Sequence, residues 1–266
     1  MSGDELRELE GLLTTLRLGR AHEHHASLAS TNDRALAWLA EGAPDGALVT
    51  ADAQTAGRGR LGRRWQSPAG RDIYASVILR PGAPTAELGA LSLAVGLGLY
   101  RGLRSVYGDA LAGLGLKWPN DLLLEGRKLG GILCESRWRG SEVELVVGFG
   151  INVHRRREQF DPELRELATS LAMVLEPEQR RGRAQLLTAL LGGLERSLER
   201  FWSAGFASMR RDYEACCVVL GREVEIEAAG GRERARVVGV ADDGALKVER
   251  LADGAPLSVR SGEVSF

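Results

Sequence analysis

Leu114-Gly115-Leu116-Lys117-Trp118-Pro119-Asn120-Asp121-Leu122-Leu123-Leu124 is the stretch that decides the fold. Two apolar runs flank a polar break that carries a proline. Proline holds the residue before it extended, so the segment predicts strand, kink, strand. Glu125-Gly126-Arg127 predicts a turn, and Lys128 to Glu135 a returning strand. This hairpin-like course sets Lys128 opposite the 117–121 segment.

Working outward, Ala47-Leu48-Val49-Thr50, Ile73 to Leu79 and Val143 to Gly148 predict further strands, the last running into Phe149-Gly150-Ile151-Asn152. Ser30-Thr31-Asn32 opens a helix that continues through Ala40 and stops at Gly42. Leu88 to Leu103 is apolar on most faces and predicts an interior helix. Leucines at 187, 190, 191, 194 and 198 predict an amphipathic helix over 184–202, and those at 6, 9, 12, 13 and 16 a helical stripe over 5–18. After Gly221 the texture changes. Val224 to Glu227, Ala235 to Val240, Leu246 to Leu251 and Leu257 to Val259 read as short strands, with Asp243-Gly244 and Asp253-Gly254 as tight turns. The pattern predicts a small β-barrel appended to an α/β domain.

Composition excludes several function classes. The chain has 266 residues, 44% hydrophobic and 27% charged, so it buries a core and is not largely disordered. A net charge of -1 is a poor basis for binding nucleic acid. Cys134, Cys216 and Cys217 make neither a disulfide framework nor a zinc spacing, which fits a reducing cytoplasm. Asp4, Glu5, Glu8 and Glu10 stand where a signal peptide needs basic residues. The longest uncharged apolar stretch, Leu88 to Tyr100, falls short of the roughly 20 residues of a bilayer span. The Arg155–Arg157 and Arg180–Arg183 runs read as solvated loop faces, and His22, His24 and His25 as structural or exposed.

Rare residues point to the chemistry. Lys117, Lys128 and Lys247 are the only lysines among 35 basic residues; Asn32, Asn120 and Asn152 are the only asparagines. A lysine kept in so arginine-rich a chain supplies a compact charge that guanidinium does not replace. Gly57-Arg58-Gly59-Arg60-Leu61-Gly62 matches the spacing of a dinucleotide-binding turn, but Arg63-Arg64-Trp65-Gln66-Ser67-Pro68 behind it is loop chemistry rather than a helix start. Two readings remain at this point: a basic surface loop, or a mobile loop whose arginines fold over an anion and exclude water. Asp121 is suited to magnesium or to a turn cap. Lys128 reads either as a site residue, with Gly130 and Gly131 admitting a ligand, or as an edge-strand lysine.

Together these segments resemble the biotin–protein ligases, also called biotin–[acetyl-CoA-carboxylase] ligases. The resemblance rests on Ser30-Thr31-Asn32, Gln54 through Trp65, Lys117 through Asp121, Lys128 through Glu135, Gly148 through Asn152, Ala168-Thr169-Ser170-Leu171 and Ser261-Gly262-Glu263-Val264-Ser265, in the family's order from about residue 22 onward. The Gly-Arg-Gly-Arg-x-Gly-Arg and Lys-Trp-Pro-Asn-Asp segments are its specific part. The chain leaves no room for the DNA-binding winged helix of bifunctional members and so looks like the ligase-only class.

The resemblance implies an α/β (α+β) fold: a mixed β-sheet flanked by helices over 1–218, then an SH3-like β-barrel over 219–266. It implies that biotin and MgATP give biotinyl-5′-AMP, and that biotin passes to a lysine of a biotin carboxyl carrier protein. Ser30, Thr31, Asn32, Gln54, Arg58, Gly59, Arg60, Lys128 and Gly131 are then expected at biotin, with Lys128, Arg60 and Arg58 catalytic. Arg63, Trp65, Lys117, Asn120, Asp121 and Asn152 are expected at ATP, Trp65 stacking on adenine and Asp121 beside Mg2+. No nucleic-acid or membrane partner is expected, and a cytoplasmic monomer or homodimer is. The alternative is a lipoate–protein ligase or related acyltransferase of the same fold, which would lack the two specific segments.

Overall fold

The computed structural model describes residues 6, 9–82, 88–228, 231–262 and 264–265. Its strands are β1 (His22–His25), β2 (Leu48–Ala51), β3 (Ile73–Gly82), β4 (Leu114–Lys117), β5 (Asp121–Leu124), β6 (Arg127–Arg139), β7 (Glu142–Ile151), β8 (Glu223–Ala228), β9 (Gly231–Val240), β10 (Leu246–Arg250) and β11 (Pro256–Val259). Its helices are α1 (Thr31–Ala40), α2 (Leu91–Tyr107), α3 (Leu171–Val174), α4 (Arg183–Ala204) and α5 (Arg210–Glu214).

Seven strands form one sheet in the order β1-β2-β3-β7-β6-β5-β4. β1 lies parallel to β2 and the remaining pairs are antiparallel, so the sheet is mixed. Alternating side chains build two cores. Ile73, Ala75, Val77 and Leu79 join Leu97, Leu187 and Leu194 of α2 and α4, whereas Ile78, Val49 and Val146 pack with Ala35 and Leu39 of α1. α2 and α4 approach closely because both carry glycine at the contact. A Cβ on Gly193 would stand 2.3 Å from the Gly98 carbonyl oxygen.

The hairpin course read from 114–135 is present. Trp118-Pro119 is a cis peptide between β4 and β5, and Leu123 is paired with Lys128 in the β5–β6 ladder. β6 lies between β5 and β7, which removes the edge-strand reading of Lys128. The C-terminal strands form a four-stranded antiparallel sheet, β11-β10-β9-β8, with Ser265 bridging back to Glu225. It is joined to the large sheet in two ways. Residues 216–218 run along β4, the Leu116 amide donating to the Cys216 carbonyl (2.7 Å) and the Val218 amide to the Leu116 carbonyl (2.8 Å). The buried Trp118 indole donates to the Gly244 carbonyl at 2.9 Å.

Two expectations need correction, and one strand was not foreseen. The stripe over 5–18 yields only a 3-10 turn, Leu9–Leu12, among its described residues, and Leu6 and Leu9 are fully buried. His22–His25 forms an edge strand, although the run has no apolar alternation to announce it. The two arginine runs are not wholly solvated: Arg155 and Arg183 are each 2% exposed. Of the terminal segment, Glu263 lies outside the described residues.

Candidate functional site

A cavity of about 520 Å3 opens where α1, β6, β7 and the 57–65 segment meet. It is lined by Ser30, Thr31, Asn32, Gln54, Arg58, Gly59, Arg60, Arg63, Trp65, Lys117, Asn120, Asp121, Lys128, Gly131 and Asn152, the whole expected set. Gln66, Arg155, Phe160, Leu164 and Leu167 also line it and were not expected.

One end is polar and internally tied. Ser30 occupies the N-cap position of α1, but its hydroxyl makes no side-chain cap bond. The Thr31 amide donates to Gln54 Oε1 at 2.8 Å, and Gln54 Nε2 donates to Ser67 Oγ at 2.9 Å. Asn32 Nδ2 donates to Glu135 Oε2 (2.7 Å) and to the Leu133 carbonyl (3.2 Å), while Asn32 Oδ1 accepts from Ser76 Oγ (2.6 Å). Asn32 can sit there because residue 148 is glycine: a Cβ would fall 2.0 Å from Asn32 Oδ1.

The 57–65 segment is a small hairpin across the mouth. The Trp65 amide donates to the Gly57 carbonyl (2.8 Å) and the Gly59 amide to the Arg63 carbonyl (2.7 Å). Its tip is a 3-10 turn, Arg60–Gly62, with Leu61 at φ 56°, a conformation non-glycine residues rarely adopt. No helix opens behind its glycines, in line with the rejection of a dinucleotide turn. Arg58 Nη2 bonds Asp33 Oδ1 (2.6 Å) and Glu135 Oε2 (2.9 Å). Arg60 Nη1 reaches Asn120 Oδ1 (3.2 Å) and the carbonyl of Gly262, which follows β11 (3.3 Å).

Across the cavity, Lys128 Nζ lies 2.7 Å from Asp121 Oδ1 and 5.7 Å from the Trp65 ring centroid. The indole rests on bare backbone: a Cβ on Gly150 would meet Trp65 Nε1 at 2.6 Å, and one on Gly131 would meet its ring at 3.3 Å. Trp65 Nε1 is buried without a hydrogen-bond partner. Asn120 Nδ2 donates to the Ile132 carbonyl (2.8 Å) and Asn152 Nδ2 to the Thr169 carbonyl (2.9 Å), which fixes both amides beside the cavity.

Among the described residues Asp121 is the only carboxylate in the cavity lining. Among the described residues no three His, Cys, Asp or Glu side chains converge as a cation site. One carboxylate suits a magnesium ion whose remaining ligands are phosphate oxygens and water, not one held by protein alone. Cys134, beside Glu135 on β6, is pushed by burial up to about 12, which removes a thiolate nucleophile at neutral pH. The arrangement is therefore suited to bringing anions together under cationic groups.

The sequence reading missed the wall at 155–168. Arg155 Nε bonds Asp72 Oδ2 at 2.5 Å with both groups buried, and Arg155 Cζ lies 4.7 Å from the Phe160 ring centroid. Arg183 Nη1 pairs with Asp52 Oδ1 at 2.8 Å. Nothing in a run of arginines signals such burial; the readable signal was Asp72 immediately before an apolar strand.

Known proteins share this architecture. A family profile described as the Biotin/lipoate A/B protein ligase family matches residues 25–152, and one described as the Biotin protein ligase C terminal domain matches residues 219–266. The chain is 38% identical to the biotin–[acetyl-CoA-carboxylase] ligase of Mycobacterium tuberculosis, over 82% of this chain and 77% of that protein. It is 32% identical to the bifunctional ligase/repressor BirA of Bacillus subtilis, over 89% of this chain and 72% of that protein. The biotin protein ligase of Aquifex aeolicus, solved in complex with biotin and ATP, superposes with a TM-score of 0.78 at 28% identity, covering 92% of this chain and 98% of that one.

Proposed function

This chain belongs to the biotin protein ligase family, and we propose that its cavity joins biotin to AMP and passes the biotinyl group to a carrier lysine. It is a biotin–[acetyl-CoA-carboxylase] ligase. In the first step a biotin carboxylate oxygen attacks the α-phosphorus of ATP; the bond to the bridging oxygen breaks and pyrophosphate leaves. In the second, the neutral amine of the carrier lysine attacks the acyl carbon, AMP leaves with the bonding pair, and the amine loses its proton. The acceptor is a biotin carboxyl carrier protein.

The observation that supports this reading most is the placement of Lys128, Arg58, Arg60 and Arg63 around one cavity with a polar end at Ser30, Thr31 and Gln54. Two anions must meet, and cationic groups gathered around one cavity offset their repulsion. We assign Ser30, Thr31, Asn32, Gln54, Gly59 and Gly131 to the biotin end, with Arg58, Arg60 and Lys128 at its carboxylate. Arg63, Trp65, Lys117, Asn120 and Asn152 serve the nucleotide, Trp65 as the flat face for adenine. Asp121 is the carboxylate that takes part in holding the magnesium that ATP brings in. The 57–65 hairpin covers the mixed anhydride against hydrolysis. Residues 1–218 act as the catalytic domain and 219–266 as the smaller one. The reducing cytoplasm is the compartment of action, consistent with three unpaired cysteines. No helix among the described residues is long and apolar enough to cross a membrane.

Biotin-dependent exchange of labelled pyrophosphate into ATP tests the reading. Exchange with biotin is expected. Exchange with lipoate and none with biotin overturns it in favour of the alternative acyl group.

A further inference from the structure

Behind the wall that carries Trp65 lies a buried polar assembly that the reaction itself does not use. Asp72, 0% exposed, stands just before β3. Its carboxylate accepts from the Val153 amide (2.8 Å), from the Tyr74 hydroxyl (3.0 Å) and from Arg155 Nε (2.5 Å). Held from that side, the Arg155 fork points outward. Nη1 donates to Gln66 Oε1 at 2.7 Å and Nη2 to the Gln66 carbonyl oxygen at 2.5 Å. Gln66 Nε2 donates in turn to Asp161 Oδ1 at 2.8 Å. Ser170 Oγ closes the assembly by donating to the Arg155 carbonyl at 2.6 Å.

A buried ion pair is a weak stability device: well-packed apolar residues of similar volume are often as good or better. What Arg155 and Asp72 supply that apolar residues cannot is a fixed direction of two donors. Both meet the residue that follows Trp65. The Trp65 amide is already tied to the Gly57 carbonyl at 2.8 Å. Pinning the next residue's carbonyl leaves the backbone at 65 little rotation. The indole is then set on Gly150 and Gly131 with the Lys128 ammonium 5.7 Å from its centroid.

We propose that Arg155, backed by Asp72, is a positioning residue for the nucleotide: by gripping both oxygen atoms of Gln66 it fixes the plane that Trp65 offers to a purine. The proposal rests on the reading that Trp65 meets adenine. Arg155 acts through Gln66 and Trp65 and does not reach the reacting carboxylate or phosphorus. Its loss therefore affects nucleotide binding and leaves biotin binding alone.

The test uses the full chain with Arg155→Lys, Gln66→Ala and the double variant. Lysine keeps a charge for Asp72 but lacks the fork that grips Gln66 at the same time. Arg155→Lys is expected to raise the ATP KM about tenfold, the scale of a small misplacement at a binding face, with kcat and the biotin KM within about twofold. Gln66→Ala, which removes one of the two acceptors, is expected to raise the ATP KM about threefold. The double variant is expected to match Arg155→Lys, because the two act as one unit. An unchanged ATP KM in either single variant overturns the proposal. So does an equal rise in both KM values, or a double variant whose effects multiply, which would place Arg155 on the nucleotide itself. Should Arg155→Lys fail to fold, Gln66→Ala decides alone. A second readout separates this from the function: Trp65 emission, isolated by subtracting the Trp65→Phe spectrum, is expected to shift to the red in both single variants. If the wild type shows no biotin-dependent exchange, the ligase reading falls while the emission still judges the grip on Trp65; unshifted emission overturns it.

Discussion

Two sets of arginines in this chain look alike in sequence and live opposite lives. Those at 58–64 stand on a glycine-broken hairpin over the cavity, and Arg58 holds Asp33 and Glu135 through bonds that water can reach. Arg155 and Arg183 come from equally dense runs, yet each is 2% exposed and locked to Asp72 or Asp52. Solvent decides the difference. An exposed pair contributes roughly 0–1 kcal/mol and exchanges partners freely, which is what a group awaiting an anion requires. A buried pair holds position, and losing one member strands a charge.

The largest expected effect concerns the lysine that shares the cavity with the first set. Lys128→Ala is expected to lower biotin-dependent pyrophosphate exchange about a thousandfold or more while thermal unfolding stays near wild type; full exchange in that variant removes Lys128 from the chemistry. Next is the buried pair. Asp72→Ala is expected to cost about 3–5 kcal/mol in urea unfolding, and Asp33→Ala, which removes one of the two surface carboxylates on Arg58, about 1 kcal/mol or less. Equal costs would erase the contrast between the sets. The hairpin comes third. Arg60→Gly is expected to form adenylate normally and to release it about tenfold faster, read by trapping AMP ester on the enzyme; unaltered retention means the hairpin is no cover.

The smallest effect is a pH dependence at the edge of the sheet. His22 Nε2 lies 2.8 Å from Thr50 Oγ1, which His24 Nδ1 shares at 3.0 Å. Burial, and then the neighbouring His24, lowers the His22 pKa from its usual 6.5 to about 4. The folded state therefore prefers the neutral ring. Stability is intact above pH 6.5 and declines as pH falls toward 4, where the unfolded chain takes up a proton that the folded one resists. The unfolding midpoint is expected to drop by a few degrees over that window, and His22→Gln to flatten the slope; a slope of the opposite sign contradicts the burial argument.

The fold was legible where local chemistry and tertiary role agree. Pro119 and the leucine runs beside it announce the β4–β5 corner, and paired glycines announce where backbone or ligand comes close. Lys117, Lys128 and the three asparagines of the cavity stood out because both residue types are scarce in this chain, and the rest of the expected set came with the family resemblance. Three things were not legible. The leucines at 6 and 9 are fully buried, Leu9 at the start of a short 3-10 turn where the spacing announced a longer helix. His22–His25 is a strand only because β2 offers it a ladder. Arg155 is internal only because Asp72, 83 positions away in the chain, is there to receive it. Pairing over that distance leaves no periodicity for a sequence to display.

The seam along β4 has a consequence for how the molecule moves. Because residues 216–218 are stitched to Leu116 by two backbone bonds, the passage to the C-terminal sheet is a splint and not a swivel. The Gly262 carbonyl that receives Arg60 is thus carried on a rigid arm. Severing the chain after residue 218 would unmask the Trp118 indole, now tied to Gly244, beside the rim of the cavity. The small sheet is therefore better seen as one jaw of the vice than as a passenger on it.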